Sequence, residues 1–420
     1  MSSCPHFESS TFNPVGPGMI ADPFAVLALA REECPVFYIA DYDMWCVTRY
    51  EDVKTIFSDP VTYSSKNMVR VWPVPAETAP FLLDGHPMEG APVTTDPPRH
   101  TEIRRLAQKA FTPNMVTERE PAIRDACERL IAKFADKGSV DLIPAYTAEI
   151  PPWVVTQLLG VPEKDTMTFR NWALEAHHLA FAKPDLSPEG VLELSRKLVP
   201  FDQYISELIN ARRVEPREDL TSYFVHAETD EGDPRLTQKE LKGLIVSVVT
   251  AGSDTTSTLI GHCVYLLLRS RERWDEVRAD RSLISTLIGE SMRLHSPARA
   301  MRRTTTRKST IGGVDVPEGA TLFLHLASAN RDESVFPDPD IADLHRGNAH
   351  RHLGFGHGPH FCLGAVLARL EATVALDVLL DKLPTLRLAS EKSLEDDDYD
   401  RNPFIPSLHR LHVEWDVESI

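Results

Sequence analysis

Residues 355–364 read FGHGPHFCLG, a loop with glycines at 354, 356, 358 and 364 around one cysteine, Cys362. A helix-like apolar run, AVLARLEATVALDVLLDKL, begins at Ala365. A cysteine at the mouth of a helix faces unsatisfied backbone amides and the positive end of the helix dipole, which stabilise its thiolate. By itself the loop fits a buried inert thiol at a helix start, or a thiolate on a metal centre. A zinc cluster of His350, His352, His357, His360 and Cys362 is a rival, but it lacks a second cysteine and the usual ligand spacing. The rest of the chain has to decide.

The chain has 420 residues, 42% hydrophobic and 25% charged, enough for a large globular core. No run of about 18 apolar residues occurs, so no membrane anchor is expected. The N-terminal MSSCPHFESSTFNPVGPGM lacks a basic segment followed by an apolar core, so no secretory signal is expected and the expected location is cytoplasmic. A net charge of −17 argues against nucleic acid, which needs a basic face. Six scattered cysteines with no C-x-x-C pair argue against a disulfide framework. Cys34, Cys46, Cys127 and Cys263 read as small buried hydrophobes.

Residues 22–33 predict a short helix. PVFYIA (35–40) and MWCVT (44–48) are β-rich runs around a polar turn, which predicts a hairpin, and 49–58 is helical again. Residues 60–95 are Pro-rich and irregular, with Trp72, Phe81, Leu82 and Leu83, the pattern of a binding loop or lid. DPPRHTEIRRLAQKAFTP (96–113) predicts a helix with prolines at entry and exit. Helical patterning fills 118–182, broken at Gly138 and Gly160, and then 187–213. The longest helix is expected over 237–270; its middle is apolar on nearly all faces, so it should run through the core. Helical character continues over 273–295. Residues 309–326 switch to β-branched runs with turn signals, 327–352 are irregular, and HRLHVEWDV at the C-terminus is β-like. The fold class expected is mainly α with small β-sheets, in a single domain over 1–420. The regular strand–helix alternation of a doubly wound α/β fold is missing.

Three more stretches complete the pattern: DPPRHTEIR (96–104), AGSDTT (251–256) and ESMR (290–293). Together with FGHGPHFCLG, and in this order, they resemble the bacterial cytochrome P-450 family, the soluble haem-thiolate monooxygenases. The resemblance covers in effect the whole chain. It implies that family's fold, a triangular helical prism with a long central helix over haem b. It makes Cys362 the axial thiolate, which pushes electron density to the iron and favours O–O cleavage. Phe355, His360 and Gly364 fall in the same cofactor loop.

The resemblance also assigns partners for the haem propionates: His100, Arg104, Arg303 and His360. His100 and Arg104 are four apart and share one helix face, and carboxylates call for cationic partners. Glu290 and Arg293 are three apart and, joined by Arg346, are implied to lock the cysteine loop against the core, a structural role. Ala342 stands where family members usually carry Phe. Ala251 and Gly252 are small, so the long helix can pass close to the cofactor. Asp254 and Thr255 form an acid–alcohol pair suited to delivering protons during dioxygen activation. The plainer reading is a Ser/Thr cluster bonded back to its own helix beside a solvated Asp. An Asp within a central apolar helix is costly, which favours the functional reading.

Substrate-pocket candidates are Val248, Ala251, Ala298, Met301 and Phe404, with the loop 69–83, Ile405 and the region 172–181. Their apolar character fits a small or medium carbon-rich substrate. Arg70 or Arg299 could meet a substrate carboxylate, but a surface or loop arginine is the plainer reading of each. Expected partners are dioxygen, that substrate, and a ferredoxin or flavodoxin with its NAD(P)H-dependent reductase. Arg104, Arg105, Lys109 and Arg351 are candidates for a basic docking patch on this acidic chain; scattered solubilising charges are the plainer reading. Two rivals are a peroxide-driven peroxygenase on the same fold and a non-catalytic haem carrier or sensor. Either would be expected to lack the acid–alcohol pair.

Overall fold

Val36–Ile39 (β1) and Met44–Val47 (β2) form the expected hairpin, with Phe37 opposite Cys46. The computed structural model describes residues 7, 12–69, 74–82, 85, 90–109, 111–181, 187–228, 235–390 and 394–417. Arg70, Trp72 and Leu83 of the irregular loop lie outside the described residues. The other strands are Tyr63–Ser64 (β3), Ser139–Asp141 (β4), Ala300–Thr305 (β5), Ser309–Ile311 (β6), Val314–Val316 (β7), Thr321–His325 (β8), Arg387–Leu388 (β9) and His412–Glu414 (β10). They make three small sheets: β1-β2-β8-β5-β3, β4-β10-β9 and the hairpin β6-β7. β2 and β8 are parallel, while β5 and β8 are antiparallel.

The chain divides into two compact units. The first takes residues 1–63, 116–150 and 254–420; the second takes 64–115 and 151–253. In the first unit the helices Glu120–Ala132 and Ala365–Lys382 pack together. Asp377 fastens them, accepting from Arg124 at 2.9 Å and from Arg281 at 3.0 Å. The largest wholly buried side chains here include Trp274, Phe323 and Phe336. In the second unit the helices Thr166–Ala180 and Pro188–Val214 pack through aromatic contacts, with Phe169 and Phe201 edge to face at 5.0 Å. Such pairs contribute about 0.5–1.5 kcal/mol beyond their burial.

The long helix is Gln238–Leu268, and the division between units falls within it, after Ser253. Its start is a capping box. The Thr237 backbone N–H donates to Glu240 Oε2 at 2.9 Å, and the Glu240 N–H donates to Thr237 Oγ1 at 3.3 Å. Arg99 closes the arrangement with a two-pronged bond to Glu240, at 2.7 and 2.8 Å. Among the described residues no helix is long and apolar enough to cross a membrane.

Several expectations need correction. The stretch 118–182 is not helical apart from its two glycine breaks: after Gly138 the chain forms β4, because its extended backbone completes a sheet with β10. The helical stretch 273–295 holds as two helices, Arg271–Ala279 and Ile284–Leu294, parted where the Asp280 carboxylate accepts the Ser282 N–H. The helix at 96–113 is Arg99–Lys109, beginning after both prolines. Cys34 is disulfide-bonded rather than a free thiol. Arg299 is buried, its guanidinium donating to the Ile20 carbonyl and lying 5.2 Å from the Tyr399 ring.

The Arg99 hydrogen bonds, outweighing burial and aided by Thr237, pull the Glu240 carboxyl down to about 2, against an ordinary value of 4.5. Its stabilising contribution is therefore complete above pH 4.5 and lost as pH falls toward about 2. Glu240→Gln should lower the melting temperature at neutral pH, with the difference shrinking on acidification. Melting curves across that pH range check this; a constant difference would count against it.

Candidate functional site

The cysteine loop is closed by its own backbone: the Cys362 N–H donates to the Phe355 carbonyl at 2.8 Å. Gly358 adopts φ +68°, and a Cβ there would stand 2.5 Å from the Phe57 carbonyl oxygen. Only glycine admits both that conformation and that approach. The Arg369 guanidinium, one turn into the following helix, lies 4.5 Å from the Phe355 ring. Burial lowers the pKa of Arg369, and the neighbouring Cys362 sulfur raises it. Cys362 itself is exposed, whereas Cys46, Cys127 and Cys263 are buried. Gly364 precedes the helix Ala365–Lys382 as its N-cap.

The histidines near the loop do not form a metal cluster. His352 is buried and its Nδ1 accepts the Gly354 N–H at 3.1 Å; burial pushes it down to about 3, so it is neutral. His360 lies in the short turn Gly358–His360. Among the described residues no three His, Cys, Asp or Glu side chains converge on a common point.

The structure brings Glu290, Arg293 and Arg346 together. Glu290 and Arg293 are both 0% exposed and paired twice, Nε to Oε1 at 2.7 Å and the second prong at 2.9 Å. Arg346 Nε adds a bond to Glu290 Oε2 at 3.1 Å. The remaining guanidinium donors go to carbonyls of the irregular stretch: Arg293 to Pro339 and Ile341, Arg346 to Pro337, Asp338 and Ile341. Phe336 supplies an aromatic face 5.4 Å from the Arg293 guanidinium.

Arg303 lies buried on β5, donates to the Arg302 carbonyl at 2.7 Å, and stands 5.0 Å from the Phe57 ring. Phe57 therefore meets both Arg303 and the cysteine loop, a role its place in the helix Tyr50–Ser58 did not announce. Asp254 and Thr255 are half-buried on the long helix, at the edge of the first unit. Ala298 is buried and Met301 half-buried. The Phe404 ring is buried against Phe323 at 5.0 Å and lies 4.0 Å from the Arg302 guanidinium.

In the second unit His100 is buried and Arg104 half-buried on the one face of Arg99–Lys109 that their spacing predicts. Ala251 is exposed and Val248 half-buried. Gly252 is required by packing, since a Cβ there would come 2.9 Å from Val155 Cγ2. Thr250 and Ser253 donate back to the carbonyls of Val246 and Val249, each at 2.8 Å, the plainer behaviour expected of such a cluster.

Residues 174–396, more than half of the chain, match the family model for cytochrome P450. The polyketide biosynthesis cytochrome P450 PksS of Bacillus subtilis (strain 168) is 32% identical over 419 residues, covering 97% of this chain and 99% of its own. The vitamin D(3) 25-hydroxylase of Pseudonocardia autotrophica is 35% identical, covering 93% of each. The solved structure of cytochrome P450 CREJ in complex with (4-ethylphenyl) dihydrogen phosphate matches with a TM-score of 0.88 and 29% identity, covering 97% of this chain and 100% of its own. The chain belongs to the cytochrome P450 family, and its fold is the cytochrome P450 fold. It is a monooxygenase, an oxidoreductase that incorporates oxygen from O2. The family implies haem with a thiolate on iron. The donor set fits: the Cys362 sulfur is exposed at a helix mouth, in a glycine-lined loop, while Nδ1 of the buried His352 is taken by the Gly354 N–H.

Removing one member of a buried ion pair leaves the others uncompensated and costs about 3–5 kcal/mol. Glu290→Ala should therefore destabilise the protein by about that amount, read as a lower denaturant midpoint. A change below about 1 kcal/mol would show that Arg293 and Arg346 do not depend on the carboxylate.

Proposed function

We propose that residues 1–420 are one haem domain that inserts an oxygen atom from dioxygen into a small or medium apolar organic molecule. Hydroxylation, O-dealkylation and epoxidation are the reactions in range, and a relative that is a 25-hydroxylase supports the first. The observation that carries the reading is one exposed cysteine at a helix mouth in a chain that also holds the Asp254–Thr255 pair on its long helix. Cys362 would hold haem b through its thiolate, with Phe355 and Gly364 in the loop beside it. Arg303 and His360, and by the same resemblance His100 and Arg104, would meet the propionates. When bound, haem supplies the activation of dioxygen.

The protein's own contribution is protons and exclusion. Thr255 holds a proton at Oγ1, and the Asp254 carboxyl restores it. Val248, Ala251, Ala298, Met301 and Phe404 would present an apolar wall that orients a carbon-rich substrate. The reduced, carbon monoxide-bound protein should show the red-shifted Soret band of thiolate ligation, absent in Cys362→His; a globin-like band in the parent would overturn the ligand. Thr255→Ala should keep substrate binding but divert electrons to peroxide; full coupling in that variant would remove the relay.

Electrons would come from a ferredoxin or flavodoxin served by an NAD(P)H-dependent reductase. Arg105 and Lys109 border a cleft of about 280 Å³ with His226, Arg235 and one acid, Glu228, a net cationic patch on an acidic protein. Such a patch accelerates docking of an acidic partner at low salt. Charge reversal at Arg105 and Lys109 should slow ferredoxin-supported reduction at low ionic strength, measured by stopped flow; unchanged rates would place docking elsewhere.

A further inference from the structure

The long helix meets the C-terminal hairpin along the face that carries Asp254. Residues 254, 258, 261 and 262 lie on one side of an α-helix. The Leu408 N–H donates to Thr258 Oγ1 at 3.1 Å, and Tyr399 OH shares a 3.0 Å hydrogen bond with His262 Nε2. A Cβ on Gly261 would come 3.0 Å from Leu408 Cδ2, so the hairpin lies directly on the helix. Tyr399 and Leu408 form an antiparallel bridge, and the next residue, Asp400, is fixed from two directions. Its N–H donates to the Ser407 carbonyl at 3.1 Å, and its Oδ1 accepts the Ser407 N–H at 2.9 Å. The side chain is half-buried, so it keeps access to solvent.

The surroundings are polar for an interior position. Arg299 is buried with its guanidinium 5.2 Å from the Tyr399 ring, and the rings of His262 and His295 are 5.3 Å apart. Burial pushes His262 down to about 3, so it is neutral and adds no charge. The charged and titratable groups facing Asp400 are then Asp254 on the long helix and Arg299. Burial first, and the Asp254 carboxylate with it, raise Asp400 to about 6, against the backbone bonds of Ser407 and Asn402 and the charge of Arg299. A carboxyl raised by burial and by a neighbouring carboxylate holds its proton further up the pH scale, where it can pass it on.

We propose that Asp400 is a positioning residue for the oxygenation reaction, the solvent-side carboxyl that recharges Asp254. A proton passes from the Asp400 carboxyl to the Asp254 carboxylate, and Asp400 recovers its proton from water. No electron moves and no bond other than O–H is made or broken. Asp254 then supplies Thr255. The ladder to Ser407 and the Tyr399–His262 bond hold the hairpin, and so Asp400, at a fixed distance from the helix. This rests on the assignment of Asp254 and Thr255 to the relay.

The test uses the full-length haem-loaded protein and two readouts. By infrared titration, the parent should show a protonated-carboxyl C=O band that disappears as pH rises through about 6 and is missing in Asp400→Asn. Absence of that band in the parent overturns the proposal whether or not the variant folds. In turnover, Asp400→Asn should cut product formation about 10-fold, below the ~10²-fold of a direct proton donor, with substrate-binding affinity unchanged and more peroxide released. Asp400→Glu should recover most of the coupling, which a purely structural role for the Ser407 bond would not predict. If Asp400→Asn stays coupled while Thr255→Ala uncouples, Asp400 has no part in an otherwise valid relay. If Thr255→Ala also stays coupled, the relay assignment itself fails.

Discussion

The Glu290 carboxylate, wholly withdrawn from water, is the interaction on which the irregular stretch 337–343 depends. An ion pair removed from water carries a desolvation penalty of several kcal/mol per ion, so it persists only when every lone pair and donor is satisfied. Here two guanidiniums share one carboxylate, and the Asp343 N–H adds a further bond at 3.0 Å. The remaining donors cap carbonyls between Pro337 and Ile341, in a stretch without helix or strand. Arginine thus does for this segment what a hydrogen-bond ladder does for regular structure. The connection runs on to the cysteine. Asn330 donates to the Met292 carbonyl at 3.3 Å, and its Oδ1 accepts the Leu353 N–H at 2.7 Å, two residues before Phe355.

On its other side the loop leans on Phe57. The carbonyl of Phe57 sets how close Gly358 must come, and its ring receives Arg303. The loop is therefore positioned by contacts between backbones and by a desolvated charge cluster, both of which tolerate little displacement. Such a setting would suit the thiolate role proposed for Cys362, since a ligand on a yielding loop would lose the pre-organisation on which its chemistry depends.

Much of this was legible in the chain. The helix at 365–382, the long helix and the hairpin at 36–47 announce themselves through periodicity, because each buries a continuous face. The Glu290–Arg293 pair is visible from its three-residue spacing. What could not be read is set by distant partners. β4 is three residues of Ser-Val-Asp whose strand character exists only because β10 lies beside it. Arg299 looks like a loop arginine until the Ile20 carbonyl and the Tyr399 ring come to meet it. Gly252 reads as room for a cofactor, yet Val155 already demands it. Phe57, Arg369 and Asp400 carry no motif, and their importance comes from what the fold brings against them.

The three-stranded sheet has a temporal consequence. β10, at residues 412–414, pairs with β4 at 139–141, and the Leu411 N–H reaches Asp141 across 270 residues of sequence. The second unit is complete in sequence once residue 253 has been made, whereas the first begins at the N-terminus and waits for the last strand. Closing so long a loop carries an entropic cost that only the finished contacts repay. During synthesis the earlier part of the first unit stands with β4 unpaired, an edge open to other chains until the C-terminus arrives. The few residues that finish the fold are thus also the ones that end its most vulnerable interval.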